Sequence, residues 1–421
     1  MRRQKWFRAT GALLLIAALG AATAGQSVSA SHVKGAEYFD LDKLPPVAAT
    51  GKQMADTLST FVADHPLRVT GSPTDLKAAD TIVTEMSALG YQTAITPVSP
   101  NATVPDTAAG PVRIVTATKR GTTMPDEWLL FIGHYDNFPG IIDAAYDNGT
   151  GTNLMRFLAR ELANVKTNRS IVFAWYNGEE EGAYGSARHA TMLKNSGQKI
   201  AAVFGFDMVG IGYPVKPAEG VTAADYCMCL FHGAADKAWA DPLLRYVNYN
   251  FLGFPSGLTE VAIKGTNTRN SDERNFASAG FKTLRWTGMR TAASYPAYHK
   301  PDDTMATIDR VAGGRSFFEQ GYLNTLKSAY YTALAVDNHP PVPAATATVS
   351  GATAAFDASG STDEDGAPSS YSWNFGDGTT GEGSTASHTY SASGTYTATL
   401  TAADNLWPAV TRTTQITVTV P

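Results

Sequence analysis

Apolar residues recur at helical spacing twice near the front of the chain: Met54, Leu58, Phe61 and Val62, then Ala79, Ile82, Val83, Met86 and Leu89. Residues three and four apart share a helix face, so the pattern predicts two amphipathic helices around the turn "GSP" (71–73), the second stopping at Gly90. From 111 to 335 the period alternates. The runs "EWLLFIGHYDN", "SIVFAWYN", "IAAVFGFDMVG" and "FKTLRWTG" read as buried strands. "TNLMRFLARELANV", "ARHATMLKNSG" and the long "RSFFEQGYLNTLKSAYYTALAV" read as helices. Such alternation predicts an α/β domain over residues 36–336, with helices on both faces of a mainly parallel mixed sheet.

The texture then changes. "DNHPPVPAATA" (337–347) is rich in Pro and Ala, has no periodicity and reads as a linker. Residues 348–421 carry short Thr-, Ser-, Val- and Tyr-rich strands broken by Gly and Asp turns, which predicts a small immunoglobulin-like β-sandwich. At the other end, residues 1–30 combine Arg2, Arg3, Lys5 and Arg8 with an apolar run and small residues up to Ala24 and Ala30. That is the pattern of a signal peptide, so the mature protein is expected to be secreted, extracellular and without stable membrane insertion.

Composition narrows the function little. The chain has 421 residues, a net charge of -5, 43% hydrophobic and 17% charged residues, which suits two globular domains. No Lys/Arg stripe follows a phosphate backbone, which argues against nucleic acid as a partner. Cys227 and Cys229 lie two positions apart, too strained a spacing for a disulfide framework to rest on.

The chemistry collects where the strands end. In an open parallel sheet, ligands bind beyond the carboxyl ends of the strands. Here the runs end in "GHYDN" with His134 and Asp136, in "NGEEEG" with Glu179, Glu180 and Glu181, and in "FDMVG" with Asp207. "AAYDNGTG" places Asp147 at a predicted helix start, and "AYHKPDDT" delivers Tyr298 and His299. Three adjacent glutamates at the end of a buried strand repel one another and resist desolvation. Imidazoles and carboxylates converging without Lys or Arg need cations to neutralise them, and this N/O donor mixture suits zinc.

Taken together, "GHYDN", "YDNGTG", "NGEEEGAYGS", "FDMVG" and "AYHKPDDT" resemble the secreted double-zinc aminopeptidases, relatives of bacterial leucyl aminopeptidase, aminopeptidase Y and glutamate carboxypeptidase. The resemblance covers about residues 50–335, and the tail through "YSWNFGDG" resembles a PKD domain. It implies the zinc exopeptidase fold and two Zn²⁺ per chain, bridged by Asp147, with His134 and Asp207 on one and Glu180 and His299 on the other. It implies Glu179 as general base, Asp136 as the residue orienting His134, and Tyr298 as an oxyanion donor. Glu181 is left without a role.

One departure stands out. "SDERN" puts Glu273 where many relatives have His, which makes the substrate side the less predictable part. The expected activity is removal of N-terminal residues from peptides by a monomer. A carboxypeptidase is the neighbouring alternative, with Arg269, Arg274, Arg285 and Arg290 as candidate carboxylate partners; a one-zinc glutaminyl cyclase-like acyltransferase is another. The sandwich would serve a polymeric or cell-surface partner, with Tyr371, Trp373 and Trp407 as candidate contacts.

Overall fold

The computed structural model describes residues 37–38, 41, 44–98, 110–211, 229–253, 263–265, 271–288, 295–363, 367–404, 406–407 and 410–421. Residues 1–30, Cys227, Arg269 and Arg290 lie outside them, as do the side chains of Cys229 and Trp407. Among the described residues no helix is long and apolar enough to cross a membrane.

A two-residue strand β1 (Glu37–Tyr38) precedes helices α1 (Gly51–Asp64) and α2 (Pro73–Ala88). Both helices are capped by residues that sequence rules favour. Thr50 accepts from the Gln53 N–H at 3.2 Å while the Gln53 side chain accepts from the Thr50 N–H at 2.9 Å. Ser72 accepts from the Asp75 N–H at 3.1 Å, with Pro73 in the first turn.

The strands that follow are β2 (Gln92–Pro97), β3 (Arg113–Lys119), β4 (Met124–His134), β5 (Arg169–Tyr176), β6 (Lys199–Phe206), β7 (Cys229–His232), β8 (Ile263–Gly265) and β9 (Thr283–Thr287). They form one eight-stranded sheet in the order β2-β3-β5-β4-β6-β9-β7-β8. The centre, β5-β4-β6-β9, is parallel throughout, and antiparallel pairs flank it at β2-β3, β3-β5 and β9-β7. Between the strands run α3 (Thr150–Leu162), α4 (Tyr184–Asn195), α5 (Lys237–Arg245) and α6 (Glu273–Ala279); α7 (Met305–Val311) and the 22-residue α8 (Arg315–Val336) follow.

Alternation along the central strands sends side chains to two cores. Leu129, Phe131, Phe173, Trp175, Phe204 and Trp286 pack with α1, α2, α3, α5 and α8. Leu130, Ile132, Val172, Ala174 and Val203 pack with Ala190 and Leu193 of α4 and Phe276 of α6. The result is a three-layer α/β/α domain. On the first face, stacked rings cross four strands: Phe173 to Phe131 at 4.7 Å, Phe131 to Phe204 at 4.8 Å and Phe204 to Trp286 at 5.9 Å. A continuous aromatic row of this kind packs the central strands side by side.

The stretch read as a linker is anchored at its start. Asp337 accepts from the N–H groups of Asn168 and Arg169, and Asn338 donates to Asp404 at 2.6 Å. Beyond it, β10 (Thr346–Ser350), β11 (Thr353–Asp357), β12 (Pro368–Asn374), β13 (Thr380–Glu382), β14 (Thr385–Thr389), β15 (Gly394–Asp404), β16 (Leu406–Trp407) and β17 (Thr411–Val420) build an antiparallel sandwich. One sheet is β10-β11-β14 and the other β13-β12-β15-β17, while β16 pairs with β1. Trp373 is 1% exposed in the sandwich core, and its indole donates to the Gly383 carbonyl. It is therefore no surface contact, and Tyr371 packs partly against the same core.

Candidate metal centre

His134 is the last residue of β4, and Asp207 follows β6 directly. Glu179 and Glu180 sit in the turn after β5, whose conformation is set by the Glu179 carbonyl accepting from Gly182 and Ala183. His299 comes from the loop after β9 with φ of 52°, in the left-handed region that a side chain rarely adopts and that clusters at functional sites. Asp147 is not at a helix start as its sequence suggests. It lies three residues earlier, in a wide turn at 145–149.

Five of these side chains, His134, Asp147, Glu180, Asp207 and His299, converge beyond the carboxyl ends of the central strands. The His134 Nε2 stands 3.6 Å from Asp147 Oδ1 and 3.6 Å from Asp207 Oδ1. The His299 Nε2 stands 3.2 Å from Asp147 Oδ2 and 3.3 Å from Glu180 Oε2. Asp147 thus turns one oxygen to each imidazole, and two donor sets share it: His134, Asp147 and Asp207; Asp147, Glu180 and His299. Asp136 Oδ1 lies 3.4 Å from His134 Nδ1, and its other oxygen accepts from the Glu180 N–H at 3.3 Å.

The polar atoms of the cluster are under-satisfied. His134 Nδ1 and Asp136 Oδ1 face each other without closing a full hydrogen bond, and Glu180 Oε1 and Asp207 Oδ1 are shielded from solvent without a hydrogen-bond partner. Burial that would lower His134 is outweighed by the carboxylates of Glu179, Asp136, Asp147 and Asp207, which raise it well above an ordinary imidazole. Against its own burial, His299 is raised to about 10 by Asp147 and Glu180. Both imidazoles in turn hold Asp147 down to about 2 against its burial. Burial, with Asp272, Glu180 and Asp207 adding repulsion, raises Glu179 well above the carboxylate range although His134 opposes it. The cluster therefore demands positive charge. Orphaned acceptors beside two imidazoles fit a metal such as zinc.

Several residues that support this geometry were not singled out from the sequence. Asp303 accepts from the N–H groups of Tyr146 and Asp147 at 3.0 Å each and from the Tyr295 hydroxyl at 2.7 Å, fixing the turn that presents Asp147. The Asn148 amide donates to the His134 and Phe206 carbonyls and accepts from Gly151 and Met208, tying that turn to β4 and β6. A Cβ on Gly151 would fall 2.4 Å from this amide, so glycine is required there. The His299 ring lies between Phe138 at 4.3 Å and Tyr298 at 3.9 Å, both nearly parallel to it. Glu181 is accounted for as well: it accepts from the Thr70 hydroxyl at 2.9 Å, away from the imidazoles.

One expectation needs correction. An arginine does reach the cluster, since Arg285 Nη2 lies 2.7 Å from Asp207 Oδ2. Glu273 is 1% exposed and paired with Arg285 at 3.1 Å, so it faces the interior and not a substrate. Arg285 is thereby committed to two carboxylates and is a poor candidate for a substrate carboxylate.

Residues 113–317 match the model of Peptidase family M28, and residues 338–420 match that of the PKD domain. A probable zinc metalloprotease of Pyrenophora tritici-repentis is 37% identical over 121 residues, covering 27% of each chain. Aminopeptidase YwaD of Bacillus subtilis is 28% identical over 180 residues, covering 42% of this chain and 36% of that protein. The chain thus spans about a quarter to a third of the length of these curated relatives. Among solved structures, BSAP, a zinc aminopeptidase from Bacillus subtilis, superposes with a TM-score of 0.53 at 14% identity, covering 68% of this chain and 95% of that one. A glutaminyl cyclase of Porphyromonas gingivalis has the same fold, with a TM-score of 0.50 at 18% identity, covering 67% and 97%.

Proposed function

We propose that this chain, which joins a peptidase family M28 region to a PKD domain, is a secreted zinc-dependent aminopeptidase that removes N-terminal residues from peptides. The observation that carries the reading is the shared carboxylate: Asp147 offers one oxygen to the His134–Asp207 set and the other to the Glu180–His299 set. These five residues would hold two zinc ions, which when bound supply a water acidified towards neutrality and polarise the scissile carbonyl.

The remaining groups have matching tasks. Glu179, which lies among the donor residues without joining either donor set, is placed to take a proton from an attacking water and return it to the leaving amine. Tyr298 is raised by burial and by Asp147, Asp207 and Glu180, so its hydroxyl stays protonated and can donate to a developing oxyanion. Asp136 and the Phe138–His299–Tyr298 stack orient the two imidazoles. Of the four arginines considered for a carboxypeptidase, Arg285 is held by Asp207 and Glu273, which removes it as a partner for a substrate carboxylate and supports the aminopeptidase reading. The pattern at 1–30 supports export, and the sandwich is assigned to attachment to a polymer or cell surface.

Purified chain loaded with zinc should contain two ions and hydrolyse aminoacyl anilides but not their N-acetyl forms. Cleavage of N-blocked peptides from the carboxyl end would move the assignment to a carboxypeptidase. One zinc per chain with cyclisation of N-terminal glutamine would move it to an acyltransferase.

A further inference from the structure

Asp207 differs from the other carboxylates of the cluster in having a buried cation already attached. Arg285, on β9, spans two carboxylates: Nη2 to Asp207 Oδ2 at 2.7 Å and Nη1 to Glu273 Oε1 at 3.1 Å. All three side chains are buried, with Asp207 7%, Arg285 3% and Glu273 1% exposed. The backbone has made room for the arrangement. Gly205, two residues before Asp207 on β6, faces Glu273, and a Cβ there would lie 3.2 Å from the Glu273 Cβ. Among the described residues, neither Glu180 nor Asp147 has a Lys or Arg in an ion pair; their charged partners are the imidazoles.

The consequence follows from valence and charge. A guanidinium on one carboxylate oxygen disfavours a cation at that oxygen, and Asp207 Oδ1, the other one, is the oxygen that faces His134. Glu273 shares the Arg285 charge, so Asp207 is gripped less tightly and keeps more of its negative charge for a cation at Oδ1. Arg suits this because its planar fork can grip two carboxylates at once, whereas Lys is a point charge.

We propose that the Arg285–Glu273 pair is a positioning element for Asp207: it fixes Asp207 as a one-oxygen ligand, and the charge of Glu273 sets how tightly the His134–Asp147–Asp207 set holds its cation. The proposal rests on the metal-centre reading above and concerns residues that act through Asp207, without contact to substrate.

The test is zinc titration of metal-free full-length protein against a chromophoric chelator, which reads the affinity of each bound ion independently of activity. Glu273→Gln removes one of the two carboxylates that Arg285 grips and shifts its charge onto Asp207, so one of the two ions should weaken at least tenfold while the other stays within twofold. In an Asp207→Ala background the same change should add less than twofold, because the route through Asp207 is gone. Glu273→Asp, which keeps the charge, should restore most of the affinity and carries the comparison if the glutamine variant does not fold. Equal weakening of both ions, or an equally large effect in the Asp207→Ala background, overturns the proposal. Absence of any saturable zinc in the wild-type chain instead overturns the metal-centre reading itself.

Discussion

Zinc uptake by the metal-free chain should be a proton-releasing reaction with a steep pH dependence. A zinc-ligating imidazole must be neutral. His299 is raised to about 10 by Asp147 and Glu180, and His134 is raised as well, so near pH 7 both carry protons that zinc must displace. For His299 the gap of about three pH units corresponds to ~4 kcal/mol, or a ~10³-fold loss of apparent affinity relative to the deprotonated site. The His299 side chain is 29% exposed, and solvent screening lowers the expected factor towards ~10². The sign is fixed: a raised imidazole competes with zinc below its folded pKa, so affinity rises with pH through neutrality and levels off only near that pKa. Calorimetry in buffers of different ionisation enthalpy counts the protons directly, and about two or more per chain should leave when both sites fill at pH 7. Release of less than one proton per chain, or an affinity that is flat between about pH 6 and 8, would refute the electrostatic description of the cluster.

Three further outcomes are expected. Glu179→Gln should keep its zinc and lose at least ~10² in kcat, and loss of zinc with an inactive but zinc-replete Glu181→Gln would show that the two glutamates were exchanged. Asp147→Asn should weaken both ions together in a chelator titration, whereas His134→Ala and His299→Ala should each weaken mainly one; two ions held normally by Asp147→Asn would sink the bridging role. A 31–342 fragment gives up the Asn338–Asp404 hydrogen bond but no proposed ligand, so its kcat/KM on an aminoacyl anilide should stay within about threefold, ~0.7 kcal/mol, of the full chain. A soluble, zinc-loaded but inactive fragment would mean that the sandwich reaches the site.

The sheet and the candidate donor residues were legible because they are local. Each central strand is a short apolar run, and the residue that ends it, or the next few, carries the donor group, as with His134 after "LLFIG" and Asp207 after "VFGF". The supporting residues left no such mark. Asp303 stands beside the cap of a short helix, and nothing near it in the chain announces that its carboxylate serves the N–H of Asp147, 156 positions away. Phe138 looks like an ordinary loop aromatic until it meets His299. Arg285 did leave a signal that alternation alone does not explain: it is the charged member of "TLRWT", a strand buried at every position. A charge in such a strand requires an internal partner, and asking for one would have pointed towards Asp207 and Glu273.

Because β4 lies between β5 and β6, and the loop carrying His299 follows β9, the donors are neighbours only after pairings between distant parts of the chain have closed. Long-range pairings of this kind are the slow part of folding a parallel sheet. No early fragment of the chain contains all of the donors, so on the proposed reading metal would stabilise the finished domain by mass action. A newly made chain would therefore acquire its metals last, and bound metal would distinguish completed molecules from those still exposed to proteolysis.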